Sequence, residues 1–367
     1  MKKAIIFLTI LGLVISSPGL SLAAESADSS SSSSSAEAPL EAENPAAVQE
    51  ANLPDQEVIP AQGQLFPGRD DGEGQYIDPQ PTEPDGKTLN VEADTFSGAF
   101  TYGYPLVVPS GRNGLQPDLR LSYNNQNLSH DNLFGYGWQL NLPSIERVNK
   151  LGVDDLYNQL YFSSSLSGEL ETIELTDGIH GSYGAKTENE SFLRYEFLND
   201  NSWQVTDKSG TVYTFGLADN SRQSDPGDNS RIFKWLIAEI RDTNDNFISY
   251  EYYKSGGQVY PSVIRYTGHG NQAGIFSLEF LRENRPDSQS FYQAGFAVQD
   301  QQRISEVQAK LNGQWVIKYE FDYQAGDNGH KSILSSITKS ARNEQGQVET
   351  LPADEFEYFA EEVEWVE

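Results

Sequence analysis

The chain has 367 residues, carries a formal charge of −29 at pH 7 and contains no cysteine. A phosphate backbone and an anionic lipid surface would both repel such a charge, so neither a nucleic acid nor a membrane headgroup is an expected partner. Without disulfides an exported protein of this size holds its core by packing alone. With 18 Phe, 19 Tyr, 5 Trp and 31 Gly, the composition suits strands joined by tight turns better than helices.

Residues 1–23 read as a secretory signal peptide. Lys2 and Lys3 precede an apolar run from Ala4 to Ile15, Pro18 and Gly19 follow it, and Ser21-Leu22-Ala23 supplies small residues for cleavage. An uncleaved amino-terminal anchor is the alternative, although the run is short for a bilayer span. No later segment is apolar enough to cross a membrane as a helix, so the mature chain is expected without a transmembrane segment. Residues 24–90 read as a disordered acidic linker. They hold an unbroken serine run from Ser29 to Ser35, frequent prolines, and fourteen acidic residues against Arg69 and Lys87. Too little apolar surface is present there to offset chain entropy.

From Val91 the pattern is that of strands, and residues 91–360 read as one all-β domain of antiparallel hairpins. Trp315, Ile317, Tyr319, Phe321 and Tyr323 are expected on one face of a strand, with Val316, Lys318, Glu320 and Asp322 on the other. Phe276, Leu278 and Phe280 alternate in the same way, as do Leu193, Tyr195 and Phe197, and Tyr213 and Phe215. Turns are expected at Lys208-Ser209-Gly210, Ser255-Gly256-Gly257, Gln345-Gly346 and Asn312-Gly313, the last a two-residue type I′ hairpin. The β-branched and aromatic content of residues 233–241 favours a strand there too. Val205 to Phe215 and Arg241 to Tyr252 form a weak internal repeat of Asp, polar turn and strand with alternating aromatics. Residues 361–367 read as an acidic tail at a truncation.

Signals for chemistry are scarce, and no catalytic, cofactor-binding or metal-ligating residue is assigned; no cofactor is expected. His130, His180, His269 and His330 lie far apart in sequence and outside any zinc-ligand spacing. Asp242, Asn244 and Asn246 imitate the start of a calcium loop, but Phe247 and Tyr253 stand where glycine and a bidentate glutamate belong, so turn capping is the better account. Glu355/Glu357 and Glu362/Glu364 suit a carboxylate pair by spacing, yet acidic residues are so common that solvated faces explain them. The aromatic residues suit a sugar platform, but buried strand faces account for most of them.

The segment Ser97-Gly98-Ala99-Phe100 through Tyr104-Pro105, Pro109-Ser110-Gly111-Arg112-Asn113-Gly114 and Leu121-Ser122-Tyr123-Asn124 resembles the opening of the SpvB family, the Salmonella virulence plasmid B-protein amino-terminal domain. Phe134-Gly135-Tyr136-Gly137-Trp138, Leu142-Pro143-Ser144-Ile145, Gly152-Val153-Asp154-Asp155-Leu156-Tyr157 and Phe233-Lys234-Trp235 are similar to later blocks, so the resemblance runs from Phe96 to Phe359. Arg112 sits at a turn apex and reads as a surface cation rather than a carboxylate clamp. Gly135 and Gly137 are expected to let the backbone approach another strand closely, beside Trp138.

The resemblance implies a partial shell of the Rhs/YD-repeat type, as in insecticidal toxin-complex B components. The expected role is that of a secreted, non-enzymatic structural component whose strands help enclose a toxic polypeptide. Its partner would be a carboxy-terminal or separate toxin/YD-repeat polypeptide, and its place extracellular or at the cell surface, although family effectors can end in the host cytoplasm. The Salmonella protein's ADP-ribosyltransferase activity is not carried over, because Glu362-Val363-Glu364 lacks the companions that chemistry requires. A cell-surface adhesin or glycan-binding module is the alternative. A shell piece would also be expected to expose strand edges and an apolar inner surface.

Overall fold

The computed structural model describes residues 99–358, apart from 128–131, 189, 327–330 and 344, together with the short strands Ile6–Phe7 and Val91–Ala93. The chain divides into two units, one of Met1–Gly12 with Lys87–Glu367 and one of Leu13–Gly86. The second unit lies outside the described residues, as do the rest of the signal segment, the linker to Asn90 and the acidic tail.

The described residues are almost entirely strand and turn. Two 3₁₀ turns, Val153–Asp155 and Asp219–Ser221, are the only helical pieces among them. Among the described residues all strand pairs are antiparallel: Ile6–Phe7 pairs with Glu357–Tyr358, a small barrel is continuous with a long sheet, and a four-stranded cover sheet is separate.

The barrel has eight strands. Ser144–Arg147, Phe162–Ser164, Gly168–Asp177, His180–Ala185, Arg194–Phe197, Trp203–Thr206 and Val212–Phe215 pair in succession, and Asp228–Arg241 closes the ring. Eight strands leave an interior just wide enough for side chains to fill. Here the filling is aromatic. Phe162, Tyr183, Phe197, Trp203 and Trp235 are all buried. Phe197 stacks on Trp203 at 4.5 Å, and Phe162 meets Trp203 edge-on at 5.0 Å. The alternation read at Tyr195 and Phe197 is therefore that of a barrel interior.

Asp228–Arg241 is the junction of the fold. Its Trp235 pairs with Ile145 of the barrel, while Glu239 to Arg241 pair with Ser249 to Phe247. On the opposite edge it pairs with Val212–Phe215 and then with Arg222–Asp225. The sheet thus forks: one branch closes the barrel and the other runs on as a meander. The meander comprises Asn246–Ser255, Gln258–His269, Phe276–Phe291, Val298–Leu311, Gln314–Ala325 and Ser332–Arg342. Two of its expected turns are two-residue hairpins, with positive φ at Gly256 and Gly257 and, as read from the sequence, at Asn312 and Gly313.

One face of the meander is apolar and covered. Ile264, Leu278, Ile304, Val307, Tyr319, Phe321 and Ile337 are buried beneath the cover sheet formed by Val91–Ala93, Phe100–Leu106, Leu119–Asn124 and Trp138–Leu140. Tyr102, Tyr104, Leu121 and Tyr123 of the cover sheet join the same core. The hydroxyls of Tyr266 and Tyr319 reach up to donate to the carbonyls of Pro109 and Val107, at 2.9 and 3.1 Å.

Two sequence expectations are corrected here. Trp315 does not share the face of Tyr319 and Phe321. Ala309 pairs with Ile317, but Lys310 pairs with Trp315, so a β-bulge at Val316 puts Val316 beside Ile317 on the core side and turns Trp315 to the polar face. There Arg342 lies over its ring at 4.0 Å. Nor is the uncovered face of the meander apolar. It carries cross-strand ion pairs, Glu251 with Arg265, Glu279 with Lys310 and Glu283 with Arg303, and Lys318 with Glu320 along one strand. Leu281 and Tyr253 are isolated apolar side chains among them.

Candidate functional site

The internal repeat is real in three dimensions. Asp207 Oδ1 accepts from the amides of Ser209 and Thr211, and Asp242 Oδ1 from those of Asn244 and Asn246. Each loop ends by returning an amide–carbonyl bond across five residues, Asp207 N to Thr211 O and Asp242 N to Asn246 O. Asn343 to Gln347 repeats the pattern, with the Asn343 side chain capping Gln347 N. These carboxylates hold turns, as Asx residues do. Ser209 and the backbone amides draw Asp207 below the usual carboxylate range against the opposing effect of burial.

The other residues weighed for chemistry do not converge. His180 packs on Phe197 with its Nε2 3.2 Å from Asn201 Oδ1, and His269 is exposed at the end of the strand Gln258–His269. His130, His330, Glu362 and Glu364 lie outside the described residues. Glu355 and Glu357 are exposed on either side of buried Phe356. Among the described residues no group of three His, Cys, Asp or Glu is placed to hold a metal ion, and no helix is long and apolar enough to cross a membrane. Arg112 is exposed and precedes the Asn113-Gly114 turn, both of whose residues have positive φ.

Gly135 and Gly137 act as the sequence suggests. A Cβ on Gly135 would stand 3.0 Å from Leu334 N, and one on Gly137 2.6 Å from the Tyr123 ring. The close approach lets Tyr136 N donate to Ser332 O at 2.8 Å, while Trp138 Nε1 donates to the Tyr358 hydroxyl at 2.8 Å. The segment that follows the last long strand is thereby fastened to the cover sheet.

Sequence reasoning missed a buried ionic knot. Arg285 holds Asp287 through two bonds of 3.0 Å, contacts Asp300, and donates to Asn132 O at 3.3 Å. Asp287 in turn accepts from Ser332 N and Oγ, each at 2.7 Å. The ladder between the paired strands breaks from Asn284 to Gln289, where Pro286 has no amide to donate, and the freed backbone carries Arg285 and Asp287 inward. Burial alone would raise the Asp287 carboxyl, but the guanidinium and Ser332 outweigh it and hold it well below the carboxylate range. At the barrel, Arg147 is buried beneath Tyr157 and Phe162 and donates to the carbonyls of Ile232 and Gln159. Desolvation lowers its guanidinium to about 10. Both clusters fix backbone.

A cleft of about 520 Å³ does open where the sheet forks, between the barrel wall and the Phe276–Phe291/Val298–Leu311 hairpin. Ser163, Ser165, Gln223, Gln258 and Gln293 contribute to its lining, with Phe233 and Phe291. These residues come from separate segments, so no sequence motif announces it.

The geometry has counterparts among solved structures. The crystal structure of TcdB2-TccC3 matches with a TM-score of 0.61 at 19% identity, over 72% of this chain and 16% of that one. The Photorhabdus luminescens Tc holotoxin pore matches with a TM-score of 0.60 at 20% identity, over 75% and 16%. The amino-terminal domain of the effector protein SpvB from Salmonella typhimurium strain LT2 matches with a TM-score of 0.55 at 21% identity, over 65% and 99%. The chain therefore spans about one sixth of the toxin-complex chains and nearly the whole of the effector domain. No curated protein sequence matches it. The family model described as Salmonella virulence plasmid 65kDa B protein matches residues 94–333, about two thirds of the sequence, and the chain belongs to that family.

Proposed function

We propose that this chain is a wall element of a secreted bacterial toxin assembly, a structural rather than catalytic component whose meander forms part of a β-shell around a partner polypeptide. The observation that carries the reading is the two-sidedness of the meander. One face is dry and sealed by the cover sheet, and the other is wet and laced with ion pairs. A wall that encloses a polypeptide without adhering to it needs such a charged, hydrated surface, since exposed apolar surface would bind unfolded cargo. Membership of the family and the shared fold with the toxin-complex structures support the same role.

On this reading residues 1–23 are an export signal, residues 24–90 a solvated acidic linker and residues 91–360 the shell domain. The partner is a YD-repeat or toxin polypeptide, and the assembly works outside the producing cell. Co-expression of the full chain with the YD-repeat polypeptide of the same genome tests this. A stable complex in which the partner resists protease is expected. A chain that stays apart, with the partner digested as fast as when alone, would rule the role out.

A further inference from the structure

We infer that the cleft at the fork of the sheet is a binding site for a neutral carbohydrate. The cleft follows from topology. Ser144–Arg147 and Phe162–Ser164 of the barrel, with Phe233 and Lys234 of Asp228–Arg241, form one side of a wedge, and Gln223, Gln258 and the end of the Phe276–Phe291/Val298–Leu311 hairpin form the other. The end of the long hairpin closes over it: Tyr157 donates to Ala294 O at 2.6 Å and Arg231 to Gly295 O at 3.2 Å. Leu156, Phe233, Ala294, Phe296 and Val298 form a separate small core that holds this roof in place. The wedge is thus rigidly framed, and its volume of about 520 Å³ falls within the range of about 300–1,000 Å³ typical of small-molecule sites.

The chemistry of the lining selects the ligand. Hydroxyls and carboxamides, such as those of Ser163, Ser165, Gln139 and Gln293, each donate and accept, which is what a ring of sugar hydroxyls requires. Gln223 and Gln258 are themselves buried, with Gln223 Nε2 donating to Gln258 Oε1 at 2.8 Å, so that part of the wall is held in one arrangement. Phe291, only half-buried, offers an apolar face for the C–H side of a pyranose. An anion is disfavoured: Lys234 is the one cation in the lining and stands 3.6 Å from Glu146. The net charge of −29 repels an anion further. A wholly apolar ligand would strip these polar groups of water without replacing their hydrogen bonds.

Saturation-transfer NMR on the full chain tests this, with cellobiose and diacetylchitobiose as neutral probes and sialyllactose as the anionic one. Transfer to at least one neutral disaccharide is expected, and less to sialyllactose. Gln293→Ala, which removes an exposed lining carboxamide, should weaken the binding about tenfold, and Ser163→Tyr, which fills the cleft, should abolish it. Both should melt as the parent chain does; should Ser163→Tyr misfold, Gln293→Ala alone decides. Absence of transfer to both neutral probes, stronger transfer to sialyllactose, or binding unchanged in Gln293→Ala would each overturn the assignment. None of these outcomes bears on the shell role, which rests on the free face of the meander.

Discussion

Tyr104 donates its hydroxyl to Asp354 at 2.9 Å, joining residues 250 positions apart. Tyr104 lies on the cover sheet, and Asp354 belongs to the short strand that flanks the last strand of the meander. Burial, with the Asp354 charge added, drives the Tyr104 phenol far above its ordinary value, so it stays a donor throughout the useful pH range. Tyr104→Phe leaves the carboxylate without this donor and should cost about 1–3 kcal/mol in denaturant unfolding. No measurable loss would mean that the contact does not hold the two layers together.

The bulge at Val316 sets an order for three substitutions. Phe321→Ala, which empties a buried position packed on Phe134, should cost about 3–5 kcal/mol. Trp315→Ala removes the Arg342 and Lys318 contacts on the open face and should cost about 1 kcal/mol. Glu320→Ala, paired with Lys318 in solvent, should change stability by less than about 0.5 kcal/mol. Thermal melts in which Trp315→Ala matches Phe321→Ala would put Trp315 back in the core.

Asp287 gives a pH signature. Its carboxyl titrates far lower when folded than the value of about 3.9 expected when unfolded. Its stabilising effect is therefore fully present above about pH 4 and is lost as the pH falls toward the folded value. Asp287→Asn should cost about 3–5 kcal/mol at pH 7, since it breaks a buried pair. The gap to the parent chain should stay constant down to about pH 4 and shrink below. A gap that narrows between pH 7 and pH 5 would show that burial, not Arg285, governs this carboxyl.

Two glycines with the same sign of φ separate backbone strain from collision. Gly313 has open space where a Cβ would go, whereas at Gly137 a Cβ would press on the Tyr123 ring. Gly313→Ala should cost about 1 kcal/mol, from φ alone. Gly137→Ala should cost clearly more and alter near-ultraviolet circular dichroism, because Tyr123 packs 5.4 Å from Trp138. Equal costs at the two sites would dismiss the close approach as a structural requirement.

How much was legible follows from the range of each interaction. Alternation at Phe276, Leu278 and Phe280, the Asn312-Gly313 turn and the Asx loops at Asp207 and Asp242 are local, and they stand as the sequence suggests. The run of family motifs also carried the fold class. Barrel closure was not legible, because it depends on Ile145 meeting Trp235, a pairing of a four-residue strand across ninety positions. A single inserted residue at Val316 inverted the faces of Trp315 and Val316, since strand periodicity has no tolerance for a bulge. Arg285, Asp287 and Asp300 were invisible for a different reason: among 54 acidic residues nothing in the sequence marks Asp287 and Asp300 as the partners of a buried arginine.

In the proposed shell, the wet face of the meander lines a closed interior once the partner is bound. The absence of cysteine allows a direct test, with a single thiol introduced as Glu320→Cys on that face. A small maleimide and a maleimide carrying a long polyethylene glycol should both label the isolated chain. In the complex with the YD-repeat polypeptide, the small reagent should still react while the bulky one is excluded. Equal labelling by both reagents in the complex would show that this face remains outside, and would contradict the shell.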